Sequence, residues 1–512
     1  MQTPQSVRGS PWVVLIPLAA IVLNHALFPG YTGDDAFIHF TYVRNLVERG
    51  LVAYNGPVPS YGSSSILWVL LGACVSWPVG HVPETMRVLG AGLWGLAVLL
   101  AVDVVHRRAP LPLAGRLLVA LVLVANAVVF RWMATGMETG LVCLVSVLIL
   151  RFADPARPIR LSLLCLAALL TRPEFVILPV CLLLAWRRPF VSRKRDGVVF
   201  VAGTLALFTV WFLCAQLYFG RPMPMTAVKS VGWLDISSTV RIAKIVAGTF
   251  PAAFAACALM VFGGGSRRGG RRGIDPVDTA FLAFGIMLLG FYLITGTNII
   301  SRYLTVIALP FAVFCATQIS TRWLQDGRIR WQAWGIVALF LVVEAGAFRQ
   351  LHAAHISTFT EGFQQAYAAM GHRLERTTPE DTAAVMAGDV GYVGYYSRRR
   401  IIDVAGLTST HIYDAGTRDD STLIARYHPG FIIIRETDER LPGFEQMITR
   451  ASGSPGDIRV LYRTRIPPLG VMADPASWWQ VELCEVTYGG EKPAPPSGGK
   501  ESVPNSSQRQ AR

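Results

Sequence analysis

Two adjacent carboxylates follow the first apolar run of the chain. Asp34 and Asp35 lie in the segment Gly-Asp-Asp-Ala-Phe-Ile-His over 33–39, directly after an apolar run over 12–28. A carboxylate at a membrane interface can have its pKa raised toward the range of a general base. Both residues also stand where a helix would begin, and acids stabilise helix N-termini. The pair therefore predicts either a general base or a helix cap.

Other polar side chains recur close to the ends of apolar runs. His39 follows Asp35 by one helical turn, so the two could share a proton or a cation, or His39 could be a hydrogen-bonded surface residue. Arg44 belongs to an amphipathic stretch over 37–49 that we expect to lie in the interface plane. The further candidates for a binding site are Glu138, Arg172, Glu174, Lys229, Arg302 and Tyr303. Ionisable residues at membrane depth are costly and usually functional.

The composition requires many apolar elements around these residues. Of the 512 residues, 52% are hydrophobic and 16% are charged, whereas soluble domains carry about 25% charged residues. A simple cytosolic enzyme is excluded, and so is disorder over most of the chain. We expect an α-helical polytopic membrane protein with about eleven transmembrane helices. Their predicted ranges are 12–28, 87–105, 113–130, 138–150, 161–171, 174–186, 198–218, 242–262, 279–297, 303–319 and 331–348.

The basic loops predict the orientation of these spans. Five loops, over 106–116, 151–160, 187–195, 267–272 and 322–330, carry 18 Lys and Arg residues, and such loops are cytoplasmic. The N-terminus is then cytoplasmic, and the run over 12–28 is an uncleaved membrane anchor. We expect the protein to lie in a bacterial inner membrane. The short apolar run over 63–79 would reverse every later loop if it crossed, so we interpret it as a re-entrant or interfacial helix. This placement explains much of the net charge of +14 without nucleic acid.

The composition also divides the chain. We expect a transmembrane domain over 1–350 with an outer loop over 30–86, a small extracytoplasmic α/β domain over 351–488, and a disordered tail over 489–512 that is rich in Pro, Gly and Ser. Seven of the eight cysteines lie in apolar stretches. We therefore predict no structural disulfide and no CxxC metal site.

Several short motifs, taken together, resemble those of the GT-C glycosyltransferases, which are membrane enzymes that use polyprenyl-phosphate sugars. The order of the motifs most resembles the terminal arabinofuranosyltransferase branch, which is related to protein O-mannosyltransferases and aminoarabinose transferases. The motifs that carry the resemblance are Gly33–Ile38, Tyr42–Leu46, Tyr61–Trp68, Thr135–Thr139, Thr171–Glu174, Met223–Thr226 with Lys229, Gly388–Gly391 and Ile402–Leu407. Two departures are the order Tyr-Gly at 61–62 and Met225 in place of the usual Asn.

The resemblance implies an inverting glycosyltransferase that works on the outer face of the membrane. Its donor would be a polyprenyl-phosphate sugar, with arabinofuranose favoured by the branch, and its acceptor a cell-envelope glycan, lipid or protein. Asp34 or Asp35 would be the base. Lys229, Arg302 and Arg172, in falling order, would neutralise the leaving phosphate. The resemblance does not fix a cofactor, and Mg²⁺ or Mn²⁺ could join the acids, which alone are a poor site for a hard cation.

Three other classes of protein share part of this pattern. A polytopic transporter or lipid-linked-sugar flippase has as many spans but needs neither an acidic first outer loop nor an outer domain. An O-antigen ligase or polymerase depends on a late outer loop and on diphosphate donors. A non-catalytic receptor has no specific support in the sequence.

Overall fold

The structure is a computed structural model, and it describes eleven stretches of the chain. These are residues 11–225, 236–250, 274–297, 299–323, 331–378, 384–409, 412–413, 419–435, 441–452, 456–466 and 478–488. The helices are α1 Pro11–Leu27, α2 Asp34–Arg49, α3 Ile66–Val79, α4 Val82–Arg108, α5 Leu113–Val124, α6 Ala127–Trp132, α7 Thr139–Phe152, α8 Pro158–Thr171, α9 Leu178–Ala185, α10 Arg187–Ser192, α11 Lys194–Phe219, α12 Ile236–Thr249, α13 Pro276–Thr295, α14 Thr305–Trp323, α15 Trp331–Ala347, α16 Ala354–Thr358, α17 Gln365–Thr377, α18 Gly391–Ser397, α19 Asp420–Tyr427 and α20 Leu441–Ser452. The strands are β1 Val385–Ala387, β2 Ile401–Asp403, β3 Phe431–Arg435, β4 Asp457–Ile466 and β5 Trp479–Thr487.

The apolar helices make this chain a multi-pass membrane protein. Within the described residues, five helical segments are long and apolar enough to cross a membrane, and six shorter apolar helices accompany them. The long segments are Val82–Arg108, Lys194–Phe219, Pro276–Thr295, Ser301–Thr321 and Val337–Thr377. The count of about eleven spans and the orientation of the termini stay predictions. The predicted span over 242–262 lies partly outside the described residues.

Two predicted spans differ in detail from the helices observed. The run over 113–130 is divided into α5 and α6 because Asn126 interrupts it and accepts a hydrogen bond from the Val129 N–H at 3.0 Å as a helix cap. The run over 63–79 forms α3, whose 14 residues extend about 21 Å. The hydrocarbon core is about 30 Å thick. The re-entrant or interfacial interpretation of this segment therefore stays open.

A single long helix leads from the membrane helices to the C-terminal domain. The α15, α16 and α17 segments are continuous through two π-helical turns over Phe348–Ala353 and Phe359–Gln364. The predicted span over 331–348 is the first part of this helix, and the predicted domain boundary at 350 falls inside it. π-helical turns inside α-helices often mark functional sites.

The C-terminal domain contains a five-stranded mixed sheet, whereas the sequence predicted only that a small α/β domain lies here. The strand order is β2-β1-β3-β5-β4. β1 pairs in parallel with β2 and β3, and β5 pairs antiparallel with β3 and β4. The first four residues of β3, Phe431–Ile434, are buried because the strand is central in the sheet. The tail over 489–512 lies outside the described residues.

The C-terminal domain packs on the first outer loop. The rings of Phe37 on α2 and Tyr392 on α18 have centroids 4.1 Å apart. Tyr54 donates its hydroxyl to the Val390 carbonyl at 2.7 Å, and Asn55 bonds to the backbone of Ile401. The loop that carries the acidic pair is therefore held between the membrane helices and the C-terminal domain.

Candidate active site

The two adjacent acids on α2 have different partners. The side chain of Asp34 accepts hydrogen bonds from the Gly391 and Tyr392 N–H groups, both at 2.9 Å. Neither acid caps α2 itself, whose N-cap is Gly33 without a side-chain hydrogen bond. The predicted cap of the helix that begins at the acidic pair is therefore wrong, because Asp34 instead accepts the first two N–H groups of the distant helix α18. Adjacent side chains on a helix point about 100° apart, which allows Asp35 to face elsewhere.

The pKa of Asp34 differs from that of an ordinary exposed carboxylate. Burial and the negative charge of Asp389 raise the pKa of Asp34 to about 8, although the two backbone N–H donors oppose that shift. Burial also raises the pKa of Asp389, against the opposing charge of Arg435. Asp389 accepts hydrogen bonds from Arg435 Nη1 at 2.5 Å and from the Tyr367 hydroxyl at 3.2 Å. Both acids therefore belong to the contact between the first outer loop and the C-terminal domain.

Asp35 is held by a buried arginine while part of its side chain stays accessible. Its Oδ2 accepts a hydrogen bond from Arg302 Nη2 at 2.8 Å, and 42% of the Asp35 side chain is exposed against 6% for Arg302. The Arg302 guanidinium also lies over the rings of Trp132 and Tyr303, at 5.8 and 5.7 Å. An arginine fixed on several sides is pre-organised to orient one carboxylate.

A buried ion network lies behind this pair. Arg172 donates to Glu138 Oε1 at 2.5 Å and makes a bidentate contact with Glu174, at 2.5 and 3.1 Å. Tyr292 donates to Glu174 at 3.4 Å. His39 lies 3.5 Å from Glu138 Oε2 through Nε2, and its Nδ1 is 3.0 Å from the Ser63 hydroxyl. The network thus joins the first outer loop to the ends of three later helices.

The charges of this network are mutually balanced. Glu138 is buried, with the Arg172 guanidinium 2.5 Å from one carboxylate oxygen and the His39 ring 3.5 Å from the other. Burial alone would lower the pKa of Arg172, and the carboxylates of Glu174 and Glu138 raise it well above its usual range. A buried arginine with two carboxylate partners has little charge left for a further anion.

Most of the residues predicted from the sequence converge. Asp35, Arg302, Tyr303, Glu138, His39, Arg172 and Glu174 form one connected group, with the Tyr303 ring 5.2 Å from the Arg172 guanidinium. Arg44 lies apart from this group, since its Nη1 donates to the Tyr395 carbonyl at 2.5 Å. Lys229 lies outside the described residues.

The structure adds residues that the sequence analysis did not select. Trp132 lies under Arg302 and donates to the Ser301 hydroxyl at 3.0 Å. Asp389 belongs to a motif that the sequence did show, but its partners come from distant segments. Within the described residues, no three His, Cys, Asp or Glu side chains converge as a metal site. The expected role of Mg²⁺ or Mn²⁺ therefore stays a prediction.

The overall fold is similar to those of solved GT-C glycosyltransferases, as the resemblance predicted. ArnT from Cupriavidus metallidurans in the apo state matches with a TM-score of 0.57 at 12% identity, over 92% of this chain and 98% of ArnT. The apo oligosaccharyltransferase from Archaeoglobus fulgidus matches with a TM-score of 0.55 at 12% identity, over 88% of this chain and 72% of that enzyme.

Two further comparisons are less informative about function. The arabinofuranosyltransferase AftD from mycobacteria matches with a TM-score of 0.48 at 15% identity, over 93% of this chain and 41% of AftD, and so weak a likeness carries no argument for that branch. A family described as a domain of unknown function (DUF8728) matches residues 354–480. No curated protein matches the sequence.

Proposed function

We propose that this protein is an inverting membrane glycosyltransferase that moves a sugar from a polyprenyl-phosphate donor to a cell-envelope acceptor. The observation that carries the proposal is the Asp35–Arg302 pair, a partly exposed carboxylate oriented by a buried arginine in a chain with the GT-C fold. ArnT, a protein of similar fold, is described as bound to undecaprenyl phosphate. This neighbour favours a lipid-linked donor.

Asp35 is the better candidate for the base. Its carboxylate takes the proton of the acceptor hydroxyl, and the freed oxygen bonds to the anomeric carbon of the donor sugar. The bond from that carbon to the phosphate oxygen breaks on the opposite face, and its electron pair leaves with the polyprenyl phosphate. Asp34 accepts the first two N–H groups of α18, so its part is to position the loop.

Positive charge must meet the phosphate as it leaves. Arg302 is the candidate among the described residues because its guanidinium lies beside Asp35. Lys229 stays the second candidate. Arg172 is better suited to hold Glu138 and Glu174 in place than to bind a phosphate, because both carboxylates already contact its guanidinium.

The substrate assignments are the finer part of the proposal. The motif order favours arabinofuranose as the sugar, and the acceptor is a glycan, lipid or protein of the cell envelope. The divalent cation stays a prediction, and adding EDTA and then Mg²⁺ or Mn²⁺ to the transfer assay tests it directly. A transporter or flippase of lipid-linked sugars is the alternative function.

A transfer assay in membranes that contain the full chain tests the proposal. Radiolabelled polyprenyl-phosphate arabinofuranose, mannose and other hexoses are offered in parallel to the wild type, Asp35→Asn and Asp34→Asn at matched expression. Asp419→Asn is the control, since Asp419 is an acid that caps α19 in the C-terminal domain. We expect Asp35→Asn to lose about 10² to 10⁴ of the rate, Asp34→Asn to lose less, and Asp419→Asn to match the wild type.

Two outcomes would contradict the proposal. If the wild type consumes no donor, the glycosyltransferase assignment fails and the transporter alternative gains support. If a donor is consumed but Asp35→Asn transfers as fast as the wild type, then Asp35 is not the base.

A further inference from the structure

A cationic cavity lies at the opposite ends of the membrane helices from the candidate active site. Its volume is about 690 Å³, and its wall includes Asp154, Arg188, Ser192 and Arg193. The loop between α7 and α8 supplies one side of it, while α10 and the residue before α11 supply the other. We call it the arginine cavity.

The arginine cavity has more positive than negative charge. Arg157 Nε and Arg160 Nη2 both approach the same oxygen of Asp154, at 3.9 Å, and the other oxygen accepts the Ala156 N–H at 2.9 Å. Within the part of the chain that the structure describes, no ion pair joins Arg188 or Arg193 to a carboxylate. The wall itself therefore carries two arginines and one acid, and that acid already has Arg157 and Arg160 as neighbours.

Two exposed apolar residues lie close in sequence to residues of the wall. Ile159 on α8 is 66% exposed and Val191 on α10 is 70% exposed. The short helix α10 is anchored by Phe190, which is buried and stacks on Phe200 of α11 with ring centroids 5.6 Å apart. The helix that carries Arg188 is thus anchored, and exposed apolar residues lie close in sequence to the wall.

We propose that the arginine cavity binds the headgroup of an anionic phospholipid from the adjacent leaflet, with its phosphate between Arg188 and Arg193. Basic pockets between membrane helices suit phosphate headgroups, and arginine contacts phosphate through two parallel N–H donors. The acyl chains would lie along Ile159 and Val191. This site is separate from the proposed transfer reaction, so either assignment can fail without the other.

Lipid binding to the purified full chain in a neutral detergent tests this assignment. Cardiolipin, phosphatidylcholine and inorganic pyrophosphate are titrated separately, and binding is measured by native mass spectrometry. The double variant Arg188→Gln/Arg193→Gln is compared with Arg187→Gln/Arg195→Gln, which removes the same charge from neighbouring exposed arginines outside the wall. Each arginine near an anionic headgroup contributes about a fivefold factor in affinity, so we expect the first variant to bind cardiolipin about 25-fold more weakly and the second to change about twofold or less.

A second variant keeps the lipid assignment falsifiable if the first folds poorly. Ile159→Gln/Val191→Gln leaves every arginine in place and should weaken cardiolipin binding. Equal losses in the two arginine variants would indicate diffuse surface charge and overturn the proposal. Tight pyrophosphate binding that depends on Arg188 and Arg193 would indicate a site for free phosphate instead, as would an unchanged affinity in Ile159→Gln/Val191→Gln. Equal binding of phosphatidylcholine would also overturn it.

Discussion

Asp34 and Gly391 are in direct contact across 357 positions of the sequence. The Asp34 carboxylate accepts the Gly391 N–H at 2.9 Å, and a Cβ atom at position 391 would meet the carbonyl group of Asp34 itself. This approach requires glycine because there is no room for a side chain. Since Asp35 is the next residue, the position of the proposed base depends on how the C-terminal domain packs on the outer loop.

We predict that Gly391→Ala disrupts this packing. Overpacking at a close contact costs about 1–3 kcal/mol, so the variant should have a lower Tm in detergent and slower transfer. Gly388→Ala is the matched control because no atom lies within 4 Å of a Cβ there. Scanning fluorimetry and the transfer assay measure both effects. A Gly391→Ala variant as stable as Gly388→Ala would contradict the observed contact.

The stability of the protein should depend on pH through Asp34. Its pKa is raised from 3.8 to about 8, so the folded chain holds this proton more tightly than the unfolded chain. The resulting stabilisation is complete below about pH 4 and is lost as the pH rises through about 8. The Tm of the wild type relative to Asp34→Asn, which stays neutral, should therefore fall between pH 5 and pH 8.5.

A second variant tests whether the charge of Asp389 contributes to this pH dependence of stability. The negative charge of Asp389 is the largest contribution to the raised pKa of Asp34 after burial. Asp389→Asn should therefore lower the pKa of Asp34. The pH-dependent loss of stability should then occur at lower pH and be smaller than in the wild type. Parallel curves for the wild type and Asp34→Asn would show that Asp34 does not titrate in this range.

Arg302 should matter more for transfer than for folding. Arg302→Gln leaves Asp35 without the 2.8 Å contact and removes a charge that the leaving phosphate needs, so we expect a loss of about 10² to 10³ in kcat/KM. Arg302→Lys keeps the charge but not the planar geometry and should lose less. Arg398→Gln is the control, since Arg398 is an exposed arginine that pairs with Glu48. Equal activity of Arg302→Gln and the control would exclude the proposed role.

Hydropathy and residue type predicted a multi-span helical protein with a small C-terminal sheet domain, and they selected several residues that the structure brings into one group. The apolar runs predicted the membrane helices, and the more polar residues after 350 predicted the small domain that contains β3. Asp35, Glu138 and Arg302 were selected because charged residues at the ends of spans are costly to keep. The structure shows how these charges are accommodated, because each one pairs with an opposite charge in one connected network.

The different partners of the two acids could not be predicted without the tertiary structure. Asp34 and Asp35 have the same chemistry in sequence, and the difference comes from Gly391 and Arg302, which are remote along the chain. The extent of the long helix was also hidden, because residues after 348 are too polar to continue the apolar pattern of a span. The pairing of Arg172 with both Glu138 and Glu174 also could not be predicted from the sequence alone.

The buried network makes a last prediction about stability. Arg172→Gln leaves Glu138 and Glu174 without their arginine in a buried place, and breaking such a pair costs about 3–5 kcal/mol. Arg107→Gln removes an exposed ion pair with Asp103, which contributes about 1 kcal/mol or less. Adding Glu174→Gln to Arg172→Gln should recover part of the loss, because one unpaired carboxylate is then neutral. Denaturant unfolding of the four proteins measures these differences. If Arg172→Gln costs no more than Arg107→Gln, or if the double variant is less stable than Arg172→Gln alone, then the charges behind Asp35 are not balanced in the way the structure indicates.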